Sequence, residues 1–281
     1  MGAGPREFAI SCSSYRRNDD DHDLRCSLLD GSSKEEYVQM NNVLIIQARM
    51  SSTRLPGKVL KDIQGAPMLN WVVERCKSAK NVSSVVIATS TNREDDQLEE
   101  WCLKNRVPIC RGSLEDVLDR YYQCALRHHA ENVIRVTSDC PFIDPGIIDG
   151  TIGLLEQGYD YCSNTREPRT YPRGLDVEAM SMKTLERAWR EDHDPRWKEH
   201  VTPYIYRHPE LFKIGGIAND EDLSDIRVTV DTFEDLQFVN LIAQEIGDHT
   251  FTWKTMVSTV RRHPEWMILN SQISQKVVPE R

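Results

Sequence analysis

The stretch VLIIQARMSSTRLPGKVL, residues 43–60, most constrains what this chain can fold into. Residues 43–46 are apolar and three of the four are β-branched, the pattern of a strand buried on both faces. A polar loop with Arg49, Arg54 and Lys58 follows, and no acid occurs between Val43 and Lys61. The chain carries a formal net charge of -9, so unopposed cations here stand out against an acidic background. The loop lies just past the carboxyl end of a strand, where open parallel sheets bind ligands. Gly57 permits close backbone approach, and Pro56 stiffens the turn. Guanidinium forks, one ammonium and backbone donors in that position suit a polyphosphate. An ordinary strand-to-helix loop with exposed basic residues is the alternative.

Downstream, strand and helix patterns alternate. Pro67 opens a helix with Met68, Leu69, Val72, Val73 and Cys76 at helical spacing. Strands are expected at 85–88, 107–110 and 132–137, with helices at 94–105 and 114–130. That order implies right-handed crossovers and a mostly parallel, doubly wound α/β sheet. A helix at 145–157 and strands at 159–163 and at the end of 166–180 come next. Helices at 183–192 and 196–207, strands at 212–217 and 226–230, and a helix at 233–246 follow, then one or two short helices. Residues 1–41 contain Ser-rich pieces and the acid run 19–21, and read as a flexible extension with a possible short helix at 34–40. The domain spans 42–276, and 277–281 is a frayed end.

The acidic balance disfavours nucleic acid as the main partner. No apolar run approaches the roughly 18 residues of a membrane span, and the N-terminus lacks the apolar core of a signal peptide, so a cytoplasmic protein is expected. The eight cysteines, at 12, 26, 76, 102, 110, 124, 140 and 162, contain no CxxC. They read as reduced, mostly buried thiols and not as a disulfide frame or zinc site.

Two acids end predicted strands. Asp139 follows the strand closing at Thr137 and suits Mg²⁺, which takes one or two carboxylates with phosphate oxygens and waters. A helix cap or Asx-turn is its alternative role. Asp231 follows RVTV, and there Thr232 with Asp235 at the third helical position offers a purely structural role. Both acids fall on one predicted rim, facing the cationic loop, as metal-assisted nucleotidyl transfer requires. Arg49 and Lys58 would then stabilise charge around an attacked α-phosphate. In YPRGLDVE, Tyr171, Arg173 and Asp176 suit an acidic, hydroxylated ligand, and a surface hairpin with a salt bridge fits almost as well. Glu199 and His200 open EHVTPYIYRHP; His200 either meets a ligand or packs. RLPGKVL lacks the earlier glycine of a Walker A loop, and no GxGxxG follows residues 43–46. The DxD patterns at 19–21 and 192–194 sit in the extension and at a helix end.

VLIIQARMSSTRLPGKVL resembles the opening motif of the cytidylyltransferases that activate sugar acids, such as CMP-KDO and CMP-acylneuraminate synthetases. With TSDCPFIDP, YPRGLDVE, EHVTPYIYRHP, RVTVDTFEDLQFV and LNSQISQK, residues 43–276 are similar to the SpsF family of spore coat polysaccharide biosynthesis. The resemblance implies the nucleotide-diphospho-sugar transferase type of fold, an α/β/α sandwich with a mostly parallel mixed sheet. It implies a nucleotide-binding loop of Gln47, Ala48, Arg49, Ser52, Arg54 and Lys58, with base contacts near Gln47 and from Thr89 to Asn92. It implies Mg²⁺ on Asp139 and Asp231, although Ser138 stands where relatives often have Gly. Acceptor contacts would come from Tyr171, Arg173, Asp176, Glu199 and His200. CTP would be the nucleotide, a sugar acid or related phosphorylated compound the acceptor, and a homodimer using 165–210 the assembly. A GT-A glycosyltransferase shares the fold but needs paired acids that Ser138-Asp139-Cys140 lacks. That class stays open, as does a non-catalytic relative that binds nucleotide and acts through partners, against which the presence of Arg49, Arg54, Lys58, Asp139 and Asp231 argues.

Overall fold

The computed structural model describes residues 40–275. The extension assigned to 1–41 lies outside them except for its last two residues, as does the frayed end at 277–281. Of the predicted helix at 34–40 only Met40 is described, and it is in neither helix nor strand. Asn41 is tied to the body: its N–H donates to Glu131 at 2.7 Å, and its amide reaches the carbonyls of His128 and His129.

β1 (Asn42–Gln47) forms at the apolar run. Its side chains alternate between two cores, Leu44 and Ile46 on one face and Val43 and Ile45 on the other. A tight hairpin of β2 (Asp62–Ile63) and β3 (Ala66–Pro67) leads into α1 (Met68–Lys77). β4 (Ser84–Ser90), α2 (Asp96–Asn105), β5 (Ile109–Gly112), α3 (Val117–Arg127) and β6 (Asn132–Thr137) follow. β5, β4, β1 and β6 are parallel neighbours in that order, so their carboxyl ends share one rim.

The chain then builds α4 (Pro145–Glu156), β7 (Tyr161–Ser163), β8 (Glu178–Ser181), α5 (Met182–Glu191), α6 (Pro195–Lys198), α7 (Pro203–Arg207) and β9 (Ile214–Gly216). β8 inserts between β6 and β7 and runs against both. Among the described residues the sheet reads β5-β4-β1-β6-β8-β7-β9. One core packs it against α1, α2 and α4, the other against α3 and α5. This is the mixed, mostly parallel α/β/α sandwich expected from the motifs.

Two expected elements differ. The helix at 196–207 is broken into α6 and α7, because Val201 takes φ 69°, a strained angle for a β-branched residue. The strand at 226–230 is reduced to one bridge, Arg173 to Arg227. That bridge is made by Arg173 N–H to the Ile226 carbonyl at 2.8 Å and Val228 N–H to the Arg173 carbonyl at 2.7 Å, and beyond it Val230 N–H donates to the Asp139 carbonyl at 2.8 Å instead of extending a ladder. α8 (Phe233–Ile246) starts on the Thr232–Asp235 capping box and ends at Gly247, φ 66°. α9 (Trp253–Arg262) and a 3-10 segment, Pro264–Leu269, close the described fold.

Gly174 is the tightest point between the 171–178 and 226–231 segments. It has φ 102°, and an added Cβ would lie 2.4 Å from the Thr229 nitrogen. Gly174→Ala is expected to destabilise the protein by about 2 kcal/mol or more, read as a lower denaturant midpoint. An unchanged midpoint would mean that the segment ending in Asp231 yields freely.

Candidate active site

The loop after β1 is held at both of its ends. Ala48 N–H continues the strand pairing to Ala88 at 3.1 Å, and Met50 C=O accepts from both Ser52 and Gly57 at 3.0 Å. Asp95, in the 3-10 turn before α2, is buried. It accepts from Met50 N–H at 2.7 Å and Ser90 N–H at 3.1 Å, so it pins the loop to the end of β4. Gly57 (φ 66°) then turns the chain into the 3-10 segment Lys58–Leu60.

That turn delivers the Lys58 ammonium to three oxygens. It donates to Asp139 Oδ2, Asp231 Oδ1 and the Val230 carbonyl, each at 2.9 Å. Asp139 is presented by the end of β6 and steadied by the Thr137 hydroxyl at 2.6 Å. Asp231 sits one residue before the α8 cap, and its Oδ2 accepts from Arg54 and Arg227 at 2.8 Å each. Arg227 in turn meets the fully buried Asp235 at 2.9 Å. The two strand-end acids therefore meet at one cation. Burial alone would raise the Asp139 carboxyl, but Lys58 and the Thr137 hydroxyl bring it down to about 2. Burial alone would lower the Lys58 ammonium, and the two carboxylates raise it instead.

A cavity of about 400 Å³ opens over this pair. Gln47, Arg49, Ser52, Arg54 and Lys58 line it from the loop, and Asp139 and Asp231 line its floor. Arg173, Asp176, Glu199 and His200 line the far side. Arg49 reaches Glu199 at 3.4 Å, but both are well exposed, so that pair is weak. Glu199 and His200 lie in the turn after α6, not at the head of a long helix.

Four expected residues do not line the cavity. Ala48 is buried within the strand pairing. Thr89 is fully buried, and its hydroxyl has no hydrogen-bond partner. Asn92 follows β4, with its carbonyl taken by Arg111 at 2.8 Å. Tyr171 packs edge-on against Trp253, ring centroids 5.4 Å apart.

Sequence patterns missed three arginines that shape the cavity or its acids. Arg135, within β6, pairs with Glu178 of β8 and reaches the Gln47 amide oxygen at 3.3 Å. Arg169 pairs with Asp176 and holds the Tyr171 and Pro172 carbonyls at 3.1 Å. Arg227 props Asp231 from behind. Its i,i+4 spacing to Asp231 was the one available signal, but residues 226–230 read as a strand, which hides that relation.

A triphosphate-sized cavity lined by cations, set over paired acids at the carboxyl rim of a parallel sheet, defines a nucleotidyltransferase. A family model described as Cytidylyltransferase matches residues 43–246, and the chain belongs to that family. The spore coat polysaccharide biosynthesis protein SpsF of Bacillus subtilis is 34% identical over 240 residues, covering 80% of this chain and 97% of that protein. A cytidylyltransferase structure from Leptospira borgpetersenii superposes with a TM-score of 0.79 at 33% identity, covering 84% of this chain and 100% of that one. A structure of CMP:2-keto-3-deoxy-manno-octonic acid synthetase complexed with CTP shares the fold, with a TM-score of 0.56 at 22% identity over 73% of this chain and 99% of that one. Among the described residues, no helix is long and apolar enough to cross a membrane.

Proposed function

We propose that this protein transfers CMP from CTP to an oxygen of a sugar acid or related anionic acceptor, with Mg²⁺ bound and pyrophosphate released. The observation that carries this reading is the meeting of Asp139 and Asp231 on the Lys58 ammonium, 2.9 Å from each, beneath the cationic loop. In the reaction, a bond forms between the acceptor oxygen and the α-phosphorus, and the bond from that phosphorus to the pyrophosphate oxygen breaks.

The donor set fits magnesium. Both acids are hard oxygen donors that already share one cation, and Asp139 stays ionised far below neutral pH. The ion held by Asp139 and Asp231 would neutralise charge on the triphosphate. Arg49, Arg54 and Lys58 would bind its phosphate oxygens, and positioning and electrostatics would supply most of the rate. Arg49 has only a weak, exposed partner to give up. Gln47 and Ser52, which line the cavity, stay in the proposal as direct nucleotide contacts, with Ala48, Thr89 and Asn92, which do not, as supports of the segments beside it. Among the described residues Arg173 is the lining cation with no carboxylate partner. It is therefore assigned to the acid group of the acceptor, with Asp176, Glu199 and His200 beside it. SpsF and the 3-deoxy-manno-octulosonate cytidylyltransferase of Geobacter sulfurreducens (40% identical over 118 residues, 42% of this chain and 46% of that protein) point to a sugar-like acceptor in polysaccharide synthesis. A homodimer in the cytoplasm belongs to the same proposal.

The test is pyrophosphate release with Mg²⁺, each of the four nucleoside triphosphates, and a panel of sugar acids, sugar phosphates and phosphonates. Release with CTP and one acceptor class is the expected result. Silence with every triphosphate, together with turnover of a sugar nucleotide, would move the protein to glycosyl transfer.

A further inference from the structure

Away from the cavity, three soft ligands converge between β5 and α3. Cys110 lies on β5, and Cys124 and His128 lie at the end of α3 and its cap. One ligand atom from each falls within 4.8 Å of the other two. Cys124 and His128 are four residues apart, the spacing that puts two side chains on one helical face. Both thiols are buried, while His128 is partly exposed and gives solvent a way in. None of the three lines the active-site cavity.

Cys110 also differs chemically from the other buried thiols. Burial pushes Cys76 and Cys140 upward and lifts Cys102 and Cys162 to about 12. Cys110 goes the other way: the hydrogen bond from Cys124 lowers it, with His128 and the nearby Arg127 adding to it, while that same contact and burial push Cys124 up. A thiolate beside a second thiol and an imidazole is the donor set of a borderline-soft, four-coordinate cation.

We propose that Cys110, Cys124 and His128 form a zinc site, with water or an added ligand in the fourth position. Tetrahedral zinc, with bonds of about 2.3 Å to sulfur and 2.0–2.1 Å to nitrogen, sets its ligand atoms about 3.5–3.8 Å apart. A separation of up to 4.8 Å is brought to that spacing by a side-chain adjustment of about 1 Å. On binding, both thiols give up their protons to solvent, the imidazole binds neutral, and no electron is transferred. The ion would fasten β5, the short edge strand, to the helix that covers it.

The full-length, reduced protein should be titrated with Zn²⁺ against a chromophoric chelator, and with Co²⁺ to read thiolate-to-metal absorption. Cys110→Ser, Cys124→Ser and His128→Gln should be compared with Cys162→Ser, a buried thiol elsewhere, and with Asp139→Asn. Circular dichroism would confirm folding. His128→Gln, at a partly exposed helix cap, tests the site even where a core serine disturbs packing.

The expected result is one zinc per chain with the thiolate absorption. The affinity should fall by at least about 10-fold in each of the three ligand variants and hold in Cys162→Ser and Asp139→Asn. The proposal is overturned by the absence of stoichiometric binding, by binding unchanged in His128→Gln and Cys110→Ser, or by binding lost in Asp139→Asn instead.

Discussion

Replacing Asp139 or Asp231 by asparagine is expected to lower kcat for CTP-dependent pyrophosphate release by at least about 10²–10³-fold, with the fold intact. Asparagine keeps the shape and loses the charge. What remains at either position is a weak oxygen donor, so magnesium would be held less well and the leaving group's charge would be less well met. The double variant should lose little more than the worse single one, because two acids serving one ion act as a unit. Steady-state kinetics over a magnesium series would check this. Full activity in Asp231→Asn would reduce that residue to what its neighbours already make it, the acid that Arg54 and Arg227 both grip.

Lys58→Met is the second large effect, and it appears in stability as well as in rate. The substitution keeps the side-chain stem and deletes the ammonium, leaving Asp139 and Asp231 facing one another without it. Removing one partner of a mostly buried ionic cluster costs about 3–5 kcal/mol. The lower end is expected here, since Asp139 keeps about a quarter of its side-chain surface in solvent. Added magnesium should restore part of the loss by binding the folded state alone. The effect also has a pH signature. The Asp139 carboxyl sits at about 2 in the fold against an ordinary 3.8. Its contribution is therefore complete above the ordinary value and drains away as the pH falls from 3.8 toward 2. Lys58 is raised, so its own contribution is complete below 10.5 and is lost at higher pH. Denaturant midpoints measured from pH 2 to pH 7 should show a shallower acid limb in Lys58→Met. An unaltered limb would mean that the ammonium does not hold Asp139 down.

The parallel half of the fold was legible because its signals are local. Residues 43–46 alternate between two cores and so can be nothing but a central strand, and Asp139 follows a strand that the apolar pattern marks out. The Thr232–Asp235 cap was likewise readable from four consecutive residues. The losses share a cause, which is pairing across long sequence separations. Arg135 finds Glu178 only because β8 turns back alongside β6, 43 residues later. Residues 226–230 have the composition of a strand, but beyond the single bridge to Arg173 the Val230 N–H goes to the Asp139 carbonyl and no ladder continues. Tyr171 sits in a motif that reads as ligand-facing, and Trp253, 82 positions further on, takes its ring. Arg169 and Asp176 are neighbours on a loop whose closure no periodicity records.

The reversal of β8 splits the labour of the chain as well as its sheet. Everything from β1 to β6 is assembled from residues 42–137, and it builds the rim that would handle the nucleotide. The side of the cavity proposed for the acceptor comes from loops in the later half, including the turn after α6. Asp231, with Arg227 behind it, is the later half's contribution to the acid pair. Loops of the second half that would meet the acceptor could then vary while the first half is kept together with Arg227 and Asp231. A change of sugar would then leave its record mostly between residues 165 and 210, while the chemistry of activation is passed on intact.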